Sequence, residues 1–71
     1  MMNAFFKTLD LLKKKNPTIG CCLDEEPDKS HWHLKIVANG KEVFTVIGTD
    51  IDIVFQNAYG KLQTHRKELV A

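Results

Sequence analysis

The chain is short of what usually holds a small protein together. It has two cysteines in 71 residues, Cys21 and Cys22, and they are neighbours. Adjacent Cα atoms sit about 3.8 Å apart, inside the usual disulfide range, so a bond between them would close a strained ring. Both are expected to be reduced thiols, one a small core residue and one partly exposed, in a reducing compartment. Neither sign of charge dominates: ten Lys and Arg against nine Asp and Glu leave a net charge of +1, which excludes bulk attraction to nucleic acid or anionic membrane. No apolar run approaches the roughly 20 residues of a membrane-spanning helix. The opening MMNAFFKTLDLLKKK sets its basic cluster after the apolar part and offers no small-residue cleavage site, unlike a signal peptide. A cytoplasmic protein is the expectation. Repeats, low-complexity tracts and linkers are also missing, so residues 1–71 are expected to form one domain. A domain this short buries only about 60% of the surface its unfolded chain exposes, and a second copy of the chain would widen its thin stability margin.

The strongest positive signal is Asn39-Gly40 between two alternating runs, residues 31–38 and 41–48. Asn-Gly is the preferred centre of a two-residue type I′ hairpin turn. Strict pairing outward from it sets Ala38 opposite Lys41, Val37 opposite Glu42, Ile36 opposite Val43, Lys35 opposite Phe44, Leu34 opposite Thr45, His33 opposite Val46 and Trp32 opposite Ile47. One face then carries Trp32, Leu34, Ile36, Val43, Thr45 and Ile47 and reads as core. The other carries His33, Lys35, Val37, Glu42, Phe44 and Val46.

Before the hairpin, Met2, Phe5, Leu9 and Leu12 recur at helical spacing, with Asn3 as a candidate cap and Lys13, Lys14 and Lys15 at the negative end of the dipole. Asn16-Pro17 ends that helix, because Pro17 disfavours helical geometry at Asn16. Residues 19–23 read as a short strand with Ile19, Cys21 and Leu23 on one side, and the polar run 24–30 reads as a loop. After the hairpin, Thr49 or Asp50 can cap a helix whose stripe is Ile51, Val54, Phe55, Ala58, Leu62 and Leu69, flanked by Tyr59 and His65. Gly60 falls opposite the stripe and has no local reason to be there. The order is α-β-β-β-α, an α+β fold with a three-stranded antiparallel sheet and two helices packed on one face.

Cys21, Cys22, His31 and His33 have metal-ligand chemistry, but neighbours on a strand point to opposite faces, so both thiols cannot meet both imidazoles. Cys22 with His31 and His33, completed by Asp24, Glu25 or water, is the arrangement left, without the usual C-x₂-C or H-x₃-H spacing. No metal or cofactor is expected. Nor does the chain carry a phosphate loop, a strained serine elbow or paired inward carboxylates, so no catalytic residue is assigned and the protein is not expected to be an enzyme. His65 reads as a half-buried histidine on the edge of its stripe.

The element order is similar to that of double-stranded-RNA-binding domains, which implies a nucleic-acid alternative with Lys13, Lys14, Lys15, Lys61, Arg66 and Lys67 as the phosphate-binding set. Lys61, Arg66 and Lys67 fall at widely separated angles on the last helix, Lys13, Lys14 and Lys15 form the only dense basic run and read as a solvated helix end, and Asp50 and Asp52 stand where phosphate would be repelled. The reading preferred from sequence is a protein-interaction module, an adaptor, an inhibitor or a homodimeric accessory protein. It would bind through the outer sheet face, with His33, Lys35, Val37, Glu42, Phe44 and Val46 as the interface, and Phe6 and Leu11 form a second candidate patch.

Overall fold

The first helix, α1, spans Met2–Lys15, and of its apolar spacing Phe5, Leu9 and Leu12 are the residues that end up buried. Asn3 lies inside it and does not cap it. Strands β1 (Gly20–Glu25), β2 (Trp32–Ala38) and β3 (Lys41–Gly48) follow, then helices α2 (Ile51–Thr64) and α3 (Arg66–Val70). These come from a computed structural model, which describes residues 2–27 and 30–70. Asp28 and Lys29, assigned to a loop from sequence, lie outside the described residues. The order α-β-β-β-α and the antiparallel sheet, β1-β2-β3, are as expected. Two elements differ: β1 continues into the acidic run as far as Glu25, and the last helix is interrupted at His65.

Asn39 and Gly40 both take the left-handed backbone, with φ of 55° and 78°, as a type I′ turn requires. The ladder starts as strict pairing dictates, with Ala38 opposite Lys41 and Val37 opposite Glu42. It then slips. Ile36 pairs with Phe44, Leu34 with Val46, His33 with Ile47 and Trp32 with Gly48, so Val43 is an extra residue in a β-bulge. A one-residue slip turns every later side chain of β3 to the opposite face. Phe44 and Val46 therefore lie in the core, 6% and 5% exposed, beside the fully buried Leu34 and Ile36. Ile47, expected inside, is 57% exposed. The assignment of Phe44 and Val46 to the outer face is corrected accordingly.

Packing gives the reason. The strict register would bury the hydroxyl-bearing Thr45 and leave a phenylalanine in water, whereas fully burying a Phe or Val side chain stabilises by about 1.5–3 kcal/mol. Inside, the Phe44 ring stacks on His65 at 5.4 Å between centroids. Helix α2 lies over β2 and β3, and α1 rests against α2 and α3. Phe5 meets Phe55 edge-on at 5.3 Å, within one core that also holds Leu9, Leu12, Val54, Ala58, Leu62 and Leu69. Asp50 caps α2 by accepting from the Asp52 N–H.

A polar knot ties the ends of the core together. Asn16 is the one buried polar residue among those described, and its Nδ2 donates to the Leu69 carbonyl at 2.7 Å, 53 positions away. Its Oδ1 accepts from the Thr18 amide and hydroxyl at 3.1 and 2.6 Å. The Thr18 hydroxyl oxygen in turn accepts the Asn39 N–H at 2.8 Å, linking the end of α1 to the hairpin turn.

Two stability measurements test this account. Phe44→Ala is expected to lower the urea unfolding free energy by about 3 kcal/mol or more, and Ile47→Ala by under about 0.5 kcal/mol. A hairpin without the bulge gives the reverse ranking. Asn16→Ala is expected to cost about 1–3 kcal/mol by stranding the buried Leu69 carbonyl. Asn16→Asp should not restore it, since a carboxylate has no proton to donate there.

Candidate protein-docking surface

Register and bulge together decide what the outer face of the sheet presents. One row across it is Asp24, His33 and Ile47, the next is Cys22, Lys35 and Thr45, and the last is Gly20, Val37 and Glu42. Lys35, Glu42, Cys22, Asp24 and Ile47 are exposed, while His33, Val37 and Thr45 are half-buried. Of the six residues expected to form the interface, His33, Lys35, Val37 and Glu42 share this face. Phe44 and Val46 do not, because the bulge rotates them under α2.

His33 is tied down. Its Nε2 lies 2.6 Å from Glu26 Oε1, both side chains more than a third exposed, and the Glu26 amide donates to the His31 carbonyl at 2.9 Å, closing the β1–β2 end. A pair that wet contributes under about 1 kcal/mol. His65, which separates α2 from α3, holds Glu68 through Nδ1 at 3.0 Å while its ring covers Phe44. Both histidines are thus engaged in holding elements together.

The two edges of the sheet are unlike. Strand β1 ends in Asp24 and Glu25, whereas β3 carries its charges, Lys41 and Glu42, beside the turn and is uncharged through residues 43–48. Neither stretch contains proline. Natural edges are usually guarded by charge, proline, brevity or a bulge, and over its last six positions β3 has only the bulge at Val43. Beside it runs a trough of about 620 Å³, its floor β3 from Thr45 to Ile47 and its wall Gln56, Asn57, Gly60, Lys61 and Thr64 of α2. All the strand residues lining it belong to β3, so it opens on the free edge.

Of the six cations expected to contact phosphate, five gather at one end of the molecule. Lys13, Lys14, Lys15, Arg66 and Lys67 are exposed at the end where Asn16 joins α1 to α3, and Lys61 stands apart in the trough. Phe6 and Leu11 are exposed, 42% and 61%, but Phe6 still touches Phe5 and Phe55 at 5.2 and 5.6 Å. Among the described residues no group of three or more His, Cys, Asp or Glu is placed to share a metal ion. No described helix is long and apolar enough to cross a membrane. The signal that sequence reading missed is the free edge of β3, since the order of strands in a sheet is set by pairing between segments remote in sequence. Comparisons with family models, curated proteins and solved structures returned no match to this chain.

The thiols differ in environment. Cys21 faces the core side opposite Ile36, and burial pushes its pKa up, reinforced by Cys22 and opposed by Lys13. Cys22 is exposed on the outer face. A maleimide at neutral pH is expected to label Cys22 first, with Cys21 slower on the order of tenfold. Equal rates in the Cys21→Ser and Cys22→Ser single variants would contradict this placement.

Proposed function

We propose that this chain is a non-enzymatic protein-interaction module that docks a protein partner along β3, using its free edge and the flanking side chains Thr45 and Ile47. The observation that carries the reading is Ile47, 57% exposed on an uncharged, unpaired strand edge. Covering it recovers about 1 kcal/mol of apolar burial, and a strand added along β3 would take up its outward amides and carbonyls. His33, Lys35, Val37 and Glu42 form the polar and half-apolar ground beside that edge. Phe44 and Val46, expected in the interface, are buried and drop out of it, and Thr45 and Ile47 stand on the outer face in their place.

The nucleic-acid reading has less behind it. Asp50 and Asp52 occupy the start of α2, and Lys61 lines the trough beside β3.

The test is capture by the tagged full-length chain expressed in its native host, counting untagged copies of itself as captured protein. Wild type is expected to retain a partner that Ile47→Lys loses by about tenfold, the effect of about 1.4 kcal/mol, and that Leu11→Lys keeps. Adding the partner back should slow amide exchange along β3. Retention indifferent to Ile47→Lys, with β3 exchange unchanged, defeats the reading.

A further inference from the structure

We infer that the end of the molecule where α1 meets α3 is a second interaction surface, separate from β3, that holds the phosphate backbone of a nucleic-acid duplex. Its groups are Lys13, Lys14 and Lys15 of α1 and Arg66 and Lys67 of α3.

The net charge of +1 conceals a separation of charge by the fold. Asp24, Glu25 and Glu26 stand where β1 ends, and Asp50 and Asp52 where α2 begins. The register makes these one end of the sheet, because Glu25 lies opposite Trp32 and Trp32 opposite Gly48, just before Asp50. The other end holds the hairpin turn, where the Asn39 N–H meets Thr18 and where Asn16 fastens the end of α1 to α3. The seven residues of β2 set the two ends about 20 Å apart. That is about twice the Debye length at 0.1 M salt, so the acids at one end do little to repel a phosphate at the other. The whole-chain charge therefore misstates what a ligand meets at either end.

Tertiary structure assembles the cations. Arg66 and Lys67 come to the lysine run because the bond from Asn16 Nδ2 to the Leu69 carbonyl, spanning 53 positions, ties the two helices together. The phosphate-binding set expected from sequence loses Lys61 to the trough and keeps the other five. All five are exposed, and among the described residues none is engaged in an ion pair. Of the acids nearby, Glu68 is turned to His65 at 3.0 Å, Glu42 lies on the outer face of the sheet, and Asp10 is a turn back along α1.

This end also lacks what other anionic partners need. Of the exposed large apolar side chains, Met2, Phe6, Leu23, Ile47 and Ile53 lie elsewhere, and only Leu11 is within a turn of the lysines. An anionic membrane is held by an apolar face sunk beneath the charged one, and a protein interface by buried apolar or aromatic anchors. Charge alone suffices where the ligand is itself densely charged, and a duplex carries one phosphate per about 1.7 Å of its axis.

The test is fluorescence anisotropy of short labelled duplexes of mixed sequence, DNA and RNA, titrated with the full chain. With about four phosphate contacts, affinity should fall about a hundredfold between roughly 50 and 200 mM salt. Lys14→Gln and Arg66→Gln, drawn from different helices, should each weaken binding by about threefold or more and flatten the salt dependence by about one contact. Lys7→Gln makes the same charge change in the first half of α1 and should bind as wild type does. All three side chains are exposed, and the thermal midpoints of the variants should match wild type. Failure to bind either duplex at low salt overturns the inference. So does binding that Lys7→Gln weakens as much as Lys14→Gln and Arg66→Gln do, since that is attraction to bulk charge. An equal or tighter hold on vesicles of phosphatidylserine and phosphatidylcholine, or on polyglutamate, also overturns it, in favour of a membrane or an acidic protein.

Discussion

One extra residue in β3 sets the phase of everything that follows it. Because Val43 is bulged out, Phe44 and Val46 reach the core, Thr45 and Ile47 face outward, and Gly48 rather than Ile47 arrives opposite Trp32. The last point matters for α2. A Cβ on residue 48 would lie 2.9 Å from Cγ2 of the buried Val54, so that side chain would have to give way. The slip therefore delivers the glycine of β3 to the place where the strand meets Val54 of α2. The bulge costs a ladder position and gains a buried ring, and it lets the helix sit close against β2 and β3. A strict register would bury a hydroxyl, expose a phenylalanine and put an isoleucine at the point of closest approach.

The parts of the fold that are local were legible. The turn at Asn39-Gly40, the Asp50 cap, the termination at Asn16-Pro17 and the buried stripes of α1 and α2 each follow from residues within a few positions of one another. The bulge was not, because β3 carries apolar residues at both parities: Val43 and Ile47 at one, Phe44 and Val46 at the other. Such a strand does not declare a face. Thr45 was the discriminating residue, since its parity alone contains a hydroxyl, and β2 is unambiguous only because Lys35 lies between Leu34 and Ile36. The break at His65 was hidden for a related reason. Leu62 and Leu69 are seven residues apart, so the stripe runs on through an interruption that Thr64, bonding back to the Gly60 carbonyl at 3.1 Å, helps to terminate.

Asn16 illustrates what periodicity cannot convey. In sequence it is a helix end before a proline. In the structure it is the hinge pin between the first helix, the last helix and the hairpin turn, through Leu69, Thr18 and Asn39. A buried amide is costly unless its donors and acceptor are met, and here they are met by residues remote in sequence, so the bonds form only when the termini and the turn are all in place. In a domain with few disulfide or metal options, such a knot gives the fold specificity as well as stability.

The two edges of the sheet and the lone interior glycine of α2 bear on the same question from different sides. A protein of this size can protect an edge cheaply, as the acidic end of β1 does, yet β3 is left uncharged just where it borders the trough. It can also strengthen a helix at no steric cost by placing alanine where a Cβ meets nothing, yet residue 60 is glycine. Each departure is minor alone. They fall on one surface, the open side of β3 and the wall of α2 above it, which is the surface the docking reading assigns to a partner.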